Sequence, residues 1–142
     1  MPAGVSRISR GAKAVVSEES LDPDEVQGLL DRWRAAYLAG DSVAVGDLYA
    51  LDGLLAFAEE ASSYAGRDAV EVAIESRFAE ASSVGEVVFE WGEPIIDGEM
   101  VAVEFCDLPD RGEANGVAIM RIVRGRIVFD RRFREPPNSG GQ

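Results

Sequence analysis

Apolar residues recur at a spacing of about 3.6 over positions 26–37, and from position 84 onward the spacing falls to about 2. The first rhythm predicts a helix. Asp22 stands at its cap, Pro23 at its first position, and Glu25 three residues after the cap, as in a capping box. Val26, Leu29, Leu30, Trp33 and Tyr37 make its apolar face. Gly40 suits the left-handed end of that helix, and Asp41 caps a second one. Val45, Leu48 and Tyr49 give the second helix a short buried stripe, which Asp52-Gly53 breaks. Residues 54–57 read as a short strand and 59–63 as an acidic, serine-rich loop. Gly66-Arg67-Asp68 opens a third helix with Val70, Ile74 and Phe78 on one side.

The alternating half predicts strands over 86–91, 100–107, 114–124 and 126–134. Asp97-Gly98, Pro109-Asp110 and Gly125 between them are antiparallel turn chemistry. Helices followed by an antiparallel meander give an α+β class. One domain is expected over 21–134, between disordered tails at 1–20 and 135–142. Val117, Ile119 and Val123, with Arg121 between them, point to the outer sheet face, and such an apolar stripe predicts a homodimer.

Composition removes whole classes of chemistry. The chain of 142 residues has a net charge of −12, which argues against nucleic acid and against an anionic membrane surface. It has no histidine, so His-based catalysis and His-ligated metals are excluded, and one cysteine, Cys106, so neither an intrachain disulfide nor a Cys-based zinc site is expected. Cys106 has no neighbouring Lys or His to make it a thiolate and reads as inert. No run is apolar enough to span a bilayer, and the basic start around Arg7, Arg10 and Lys13 lacks the apolar core of a secretory signal, so a cytoplasmic location is expected. Acid–base work would fall to Asp, Glu, Tyr or Arg-supported carboxylates, with no metal and no cofactor.

Four strings, WRAAYLAGDSVAVGDLYALDG, YAGRDAVEVAIESRF, GEMVAVEF and IVRGRIVFDRRF, carry a family resemblance in their order and spacing. Over residues 26–133 the chain resembles the nuclear-transport-factor-2-like superfamily, which includes ketosteroid isomerases, SnoaL-type polyketide cyclases and limonene-epoxide hydrolases. The resemblance implies a cone: a curved antiparallel sheet wrapped around three N-terminal helices, with an apolar pocket at the open end. It also implies dimerisation through the outer face of the sheet. It does not fix the chemistry, since this fold hosts unrelated reactions.

The catalytic groups of the known branches do not carry over. Where the isomerase pattern has its tyrosine this chain has Trp33, its base falls near Phe57, and its second acid near Val117 and Ala118. Of the epoxide-hydrolase set only Asp107 matches one aspartate; Phe105 stands at the arginine, Arg132 at the second aspartate, and Leu55 and Phe57 at the two water holders. A rearranged trio remains. If the last strand keeps the register that the resemblance implies, alternation turns Asp130 and Arg132 inward and Phe129, Arg131 and Phe133 outward, and Asp107 can share the inward face unless a one-residue slip puts Glu104 there. Asp107, Asp130 and Arg132 are therefore the candidate acid–base group, or else a structural ion pair at the pocket floor. Trp33, Tyr37, Leu55, Phe57, Phe78, Phe105 and Met120 are candidate ligand-lining residues. The expected function is a SnoaL-like pocket for a small hydrophobic molecule. It is either an acid–base enzyme on a polyketide, terpenoid or steroid-like substrate or a non-catalytic carrier.

Overall fold

The computed structural model describes residues 20–109 and 111–135. The expected tails lie outside the described residues, except for Ser20 and Glu135. Helix α1 (Pro23–Leu38) is capped by the Asp22 side chain, which accepts from the Asp24 amide at 2.9 Å. Its buried residues are the five of the predicted face. Gly40 closes it at φ 71°, and Asp41 caps α2 (Ser42–Gly46) by accepting from the Ala44 amide at 3.0 Å. Helix α3 (Arg67–Ser82) buries Val70, Ala73 and Ile74.

Helix α2 stops at Gly46, and Tyr49 opens a strand instead of extending the predicted helical stripe. Strand β1 (Tyr49–Phe57) absorbs Asp52-Gly53 as an irregularity in its pairing, between Tyr49 and Leu54. A Cβ on Gly53 would lie 2.9 Å from the Ile127 carbonyl oxygen and 3.1 Å from that of Ala50, so the distortion needs glycine. The pair that sequence reading takes for a helix break is thus a bulge within a strand.

The remaining strands are β2 (Ser63–Ala65), β3 (Glu90–Trp91), β4 (Ile95–Asp97), β5 (Met100–Cys106), β6 (Gly116–Val123) and β7 (Arg126–Arg134). β2 starts at Ser63, the last residue of the expected loop, and the strand expected over 86–91 shrinks to β3. The sheet order is β2-β1-β7-β6-β5-β3, with β4 also on β5. Most neighbours are antiparallel, but β1 runs parallel to β7, so the curved sheet is mixed. The fold is α+β, with helices on the concave face. One hydrophobic core lies between them, from Leu30 and Trp33 on α1 to Val103, Met120 and Ile127 on the strands.

Candidate functional site

Strand β7 delivers the central charges. Asp130 and Arg132 are buried, whereas Arg131 and Phe133 are exposed, as the alternation requires. Asp130 Oδ2 accepts from the Tyr49 hydroxyl at 2.6 Å and from Arg132 Nη2 at 3.0 Å, and Oδ1 accepts from Arg132 Nε at 3.1 Å. The Tyr49 oxygen in turn accepts from Trp33 Nε1 at 3.2 Å. The Arg132 guanidinium also lies over the Trp33 ring, 4.4 Å from its centroid. Burial first, and then the Asp130 charge, push the Tyr49 hydroxyl well above its ordinary range, so it stays protonated. Burial works against the Arg132 charge, but Asp130 and Tyr49 outweigh it and the net shift is upward.

Asp107 forms a separate pair. Its side chain accepts from Asn115 Nδ2 at 2.8 Å and from Arg134 Nε at 3.1 Å, while Asn115 Oδ1 accepts from the Asp107 amide at 2.9 Å. No salt bridge joins Asp107 to Arg132 among the described residues. The expected trio is therefore two ion pairs, Asp130 with Arg132 and Asp107 with Arg134. Glu104 is exposed, and its buried neighbour Phe105 faces the core, so the register is the one that turns Asp107 inward.

A cavity of about 30 Å³ lies between the two pairs. Its apolar walls are Trp33, Tyr37, Phe57, Ile74, Phe89 and Phe105, and its ionisable ones are Arg77, Asp107, Arg132 and Arg134. The space suits one or two waters, far below the several hundred Å³ of a typical ligand site. Arg77 covers Phe57, with its guanidinium 3.7 Å from the ring centroid, and pairs with Glu60 at 2.7 Å and Glu59 at 3.2 Å. It links α3 to the β1–β2 turn. Burial, and then the Asp107 charge, raise the Tyr37 hydroxyl above its ordinary range.

Of the predicted lining residues, Trp33, Tyr37, Phe57 and Phe105 reach this cavity. Leu55 and Met120 lie in the fully buried core, each paired across the sheet with Asp130. Phe78 lines a neighbouring crevice against Gly40. Asp130 is not on the cavity wall; it sits behind Arg132. Sequence reading missed Tyr49, Arg77, Phe89, Asn115 and Arg134. Phe89 and Arg134 fall within predicted strands and were accessible to the period-2 rule, whereas Tyr49 was hidden by its placement on a helix. A larger open groove of about 510 Å³ lies beside β3 and β5, lined in part by Glu90, Glu104, Cys106 and Glu113.

A solved SnoaL-like protein of unknown function from Burkholderia thailandensis superposes with a TM-score of 0.68 at 17% identity, over 83% of this chain and 100% of that one. The chain has the nuclear-transport-factor-2-like fold. A nuclear-transport-factor-2-like protein from Burkholderia xenovorans matches at TM-score 0.61 and 20% identity, over 80% of this chain and 85% of that one. A ketosteroid-isomerase-like fold from Catenulispora acidiphila, solved in complex with trimethylamine, matches at 0.60 and 17%, over 75% and 85%. No family model and no curated protein matches the chain by sequence. The likeness to the nuclear-transport-factor-2-like structures is one of backbone course and assigns no residue a role. Among the described residues, no helix is long and apolar enough to cross a membrane.

Proposed function

We propose that the protein is a SnoaL-like pocket protein that holds a small, predominantly apolar molecule in the chamber behind Arg77. The observation that carries this reading is the wall itself: aromatic rings interrupted by Asp107, Arg132 and Arg134, all turned inward. A core that served packing alone would gain more stability from hydrocarbon at those positions. An organic ligand requires this small chamber to widen, and the Arg77 link to Glu59 and Glu60 on its wall is the contact proposed to release. The trimethylamine held by the Catenulispora acidiphila neighbour is consistent with a ligand site in this fold. Native mass spectrometry of the purified protein, followed by a thermal-shift screen of apolar metabolites, tests the reading. A copurifying small molecule or a rise in Tm supports it; an empty protein whose Tm no compound raises counts against it.

Asp107 on the same wall favours a second reading, an acid–base enzyme of cyclase, isomerase or hydrolase type on a polyketide, terpenoid or steroid-like substrate. Asp107 is then the proton acceptor and Arg132 stabilises developing negative charge, with Asp130 acting through Arg132 as a positioning residue. Asp107→Asn separates the two readings: it abolishes turnover in the enzyme and leaves ligand retention unchanged in the carrier.

The outer face also supports a homodimer. Val117, Ile119 and Val123 are half-buried there beside Phe133, which is 41% exposed. Light scattering coupled to size exclusion decides it, and a clean monomer refutes the dimer.

A further inference from the structure

Arg132 is 5% exposed and carries five N–H donors. Two of them, on Nε and Nη2, go to Asp130. Among the described residues, the other donors, on Nη1 and on the far side of Nη2, meet no hydrogen-bond acceptor. Trp33, Trp91 and Phe105 lie around the guanidinium, with its central carbon 4.4, 5.2 and 5.7 Å from their ring centroids, and none of them offers a lone-pair acceptor to these N–H groups. Buried donors without acceptors are rare because desolvation is not repaid. A guanidinium has two two-donor edges. Asp130 grips the Nε–Nη2 edge, so the Nη1–Nη2 edge faces away from it, on a side chain that forms part of the cavity wall.

We infer that this free edge of Arg132 binds a carbonyl oxygen of a neutral, flat, conjugated ligand, an assignment that rests on the pocket reading above. Neutrality follows from the charges around the chamber. Arg77, Arg132 and Arg134 are each already paired, and Glu59, Glu60, Asp107 and Asp130 outnumber them. An added carboxylate would lose its hydration without gaining an uncompensated cation. Flatness follows from the walls. Trp33 and Tyr37 stack at 5.2 Å, and Phe89 and Phe105 stack at 5.4 Å with their planes 14° apart, so the chamber is bounded by ring surfaces. Trp33 and Tyr49 brace Asp130 from behind, which fixes the guanidinium before a ligand arrives.

The test uses the full chain and three probes of matched size: 2-acetylnaphthalene, 2-ethylnaphthalene and 2-naphthoate. Quenching of tryptophan fluorescence reports binding, because Trp33 lies on the cavity wall. The ketone is expected to bind about tenfold more tightly than the hydrocarbon, the worth of one hydrogen bond to a charged group. Arg132→Lys keeps a cation for Asp130 but removes the second edge. It should abolish the ketone's advantage over the hydrocarbon, so that the variant binds the two equally. Equal affinity of ketone and hydrocarbon for the unaltered protein overturns the inference while the pocket reading stands. Naphthoate binding as tightly as the ketone overturns the neutral ligand class. If none of the three binds, the flat conjugated ligand class is overturned, and copurification and the thermal-shift screen decide the pocket reading separately.

Discussion

Tyr49→Phe removes one oxygen and leaves the ring in place, so it isolates the polar core from the packing around it. The hydroxyl has no exposure, donates to Asp130 at 2.6 Å and accepts from Trp33 Nε1 at 3.2 Å. Losing a hydrogen bond to a charged group costs about 1.5–3 kcal/mol, and leaving the Trp33 N–H unpaired costs about 1–3 kcal/mol more. Asp130 keeps both contacts from Arg132, and burying Phe costs less desolvation than burying Tyr. We therefore expect a net loss of about 3 kcal/mol, a large share of the ~5–15 kcal/mol typical of a domain. Urea unfolding followed by tryptophan fluorescence measures it, with an unchanged m-value showing that the transition stays two-state. Tyr64→Phe is the control. Its hydroxyl donates to Glu60 at 3.0 Å on a partly exposed site, and its loss should change stability by less than about 0.5 kcal/mol.

The alkaline limb gives an independent reading of the same group. Tyr49 is raised in the folded state above the ordinary value of 10.0, so the unfolded chain releases its proton first as pH rises. The stability contributed by the protonated hydroxyl is fully present below pH 10.0 and is lost as pH climbs from there through the folded pKa. The slope is about 1.4 kcal/mol per pH unit while only the unfolded state is ionised. Tyr49→Phe should flatten that limb by one proton. A variant within about 1 kcal/mol of wild type, with the alkaline slope intact, would refute the hydrogen-bonded chain and leave Tyr49 as packing alone.

Three further expectations follow from the same contacts. Asp130→Asn should cost about 3–5 kcal/mol by leaving Arg132 without its carboxylate, whereas Asp130→Leu with Arg132→Met should cost much less than the sum of the singles in a urea double-mutant cycle. Gly53→Ala should destabilise by about 1–3 kcal/mol, since backbone oxygens of Ile127 and Ala50 meet the new methyl; an unchanged Tm would mean that the bulge relaxes freely. Arg77→Ala should cost under about 1 kcal/mol, because its partners Glu59 and Glu60 are each about one third exposed, yet acrylamide should quench Trp33 faster; unchanged quenching would mean that Arg77 does not cover the chamber.

Much of the architecture was legible because it depends on local rules. The apolar face of α1, its Asp22 cap and its Gly40 end were all read from spacing, and β7 matched its expected bounds of 126–134. That Asp130 and Arg132 share one face followed from alternation, and that this face is the inward one followed from the family resemblance. The failures lie where a local signal serves a distant partner. Asp52-Gly53 marks a chain reversal in most sequences, but here the parallel pairing of β1 with β7 draws the pair into a bulge. That one displacement moved Tyr49 from a helix to the carboxylate of Asp130.

The sequence by itself determined the α+β class, the exclusion of histidine chemistry and of an intrachain disulfide, and which side chains of β7 share a face. These depend on composition and on the period of a single element. Only the tertiary structure decided which carboxylate each arginine takes, because Asp107 with Arg134 and Asp130 with Arg132 depend on where β5 ends relative to β7. It also set the volume left between aromatic rings from four separate segments, and with it the free edge of Arg132, since neither spacing nor propensity encodes the gap between elements distant in the chain.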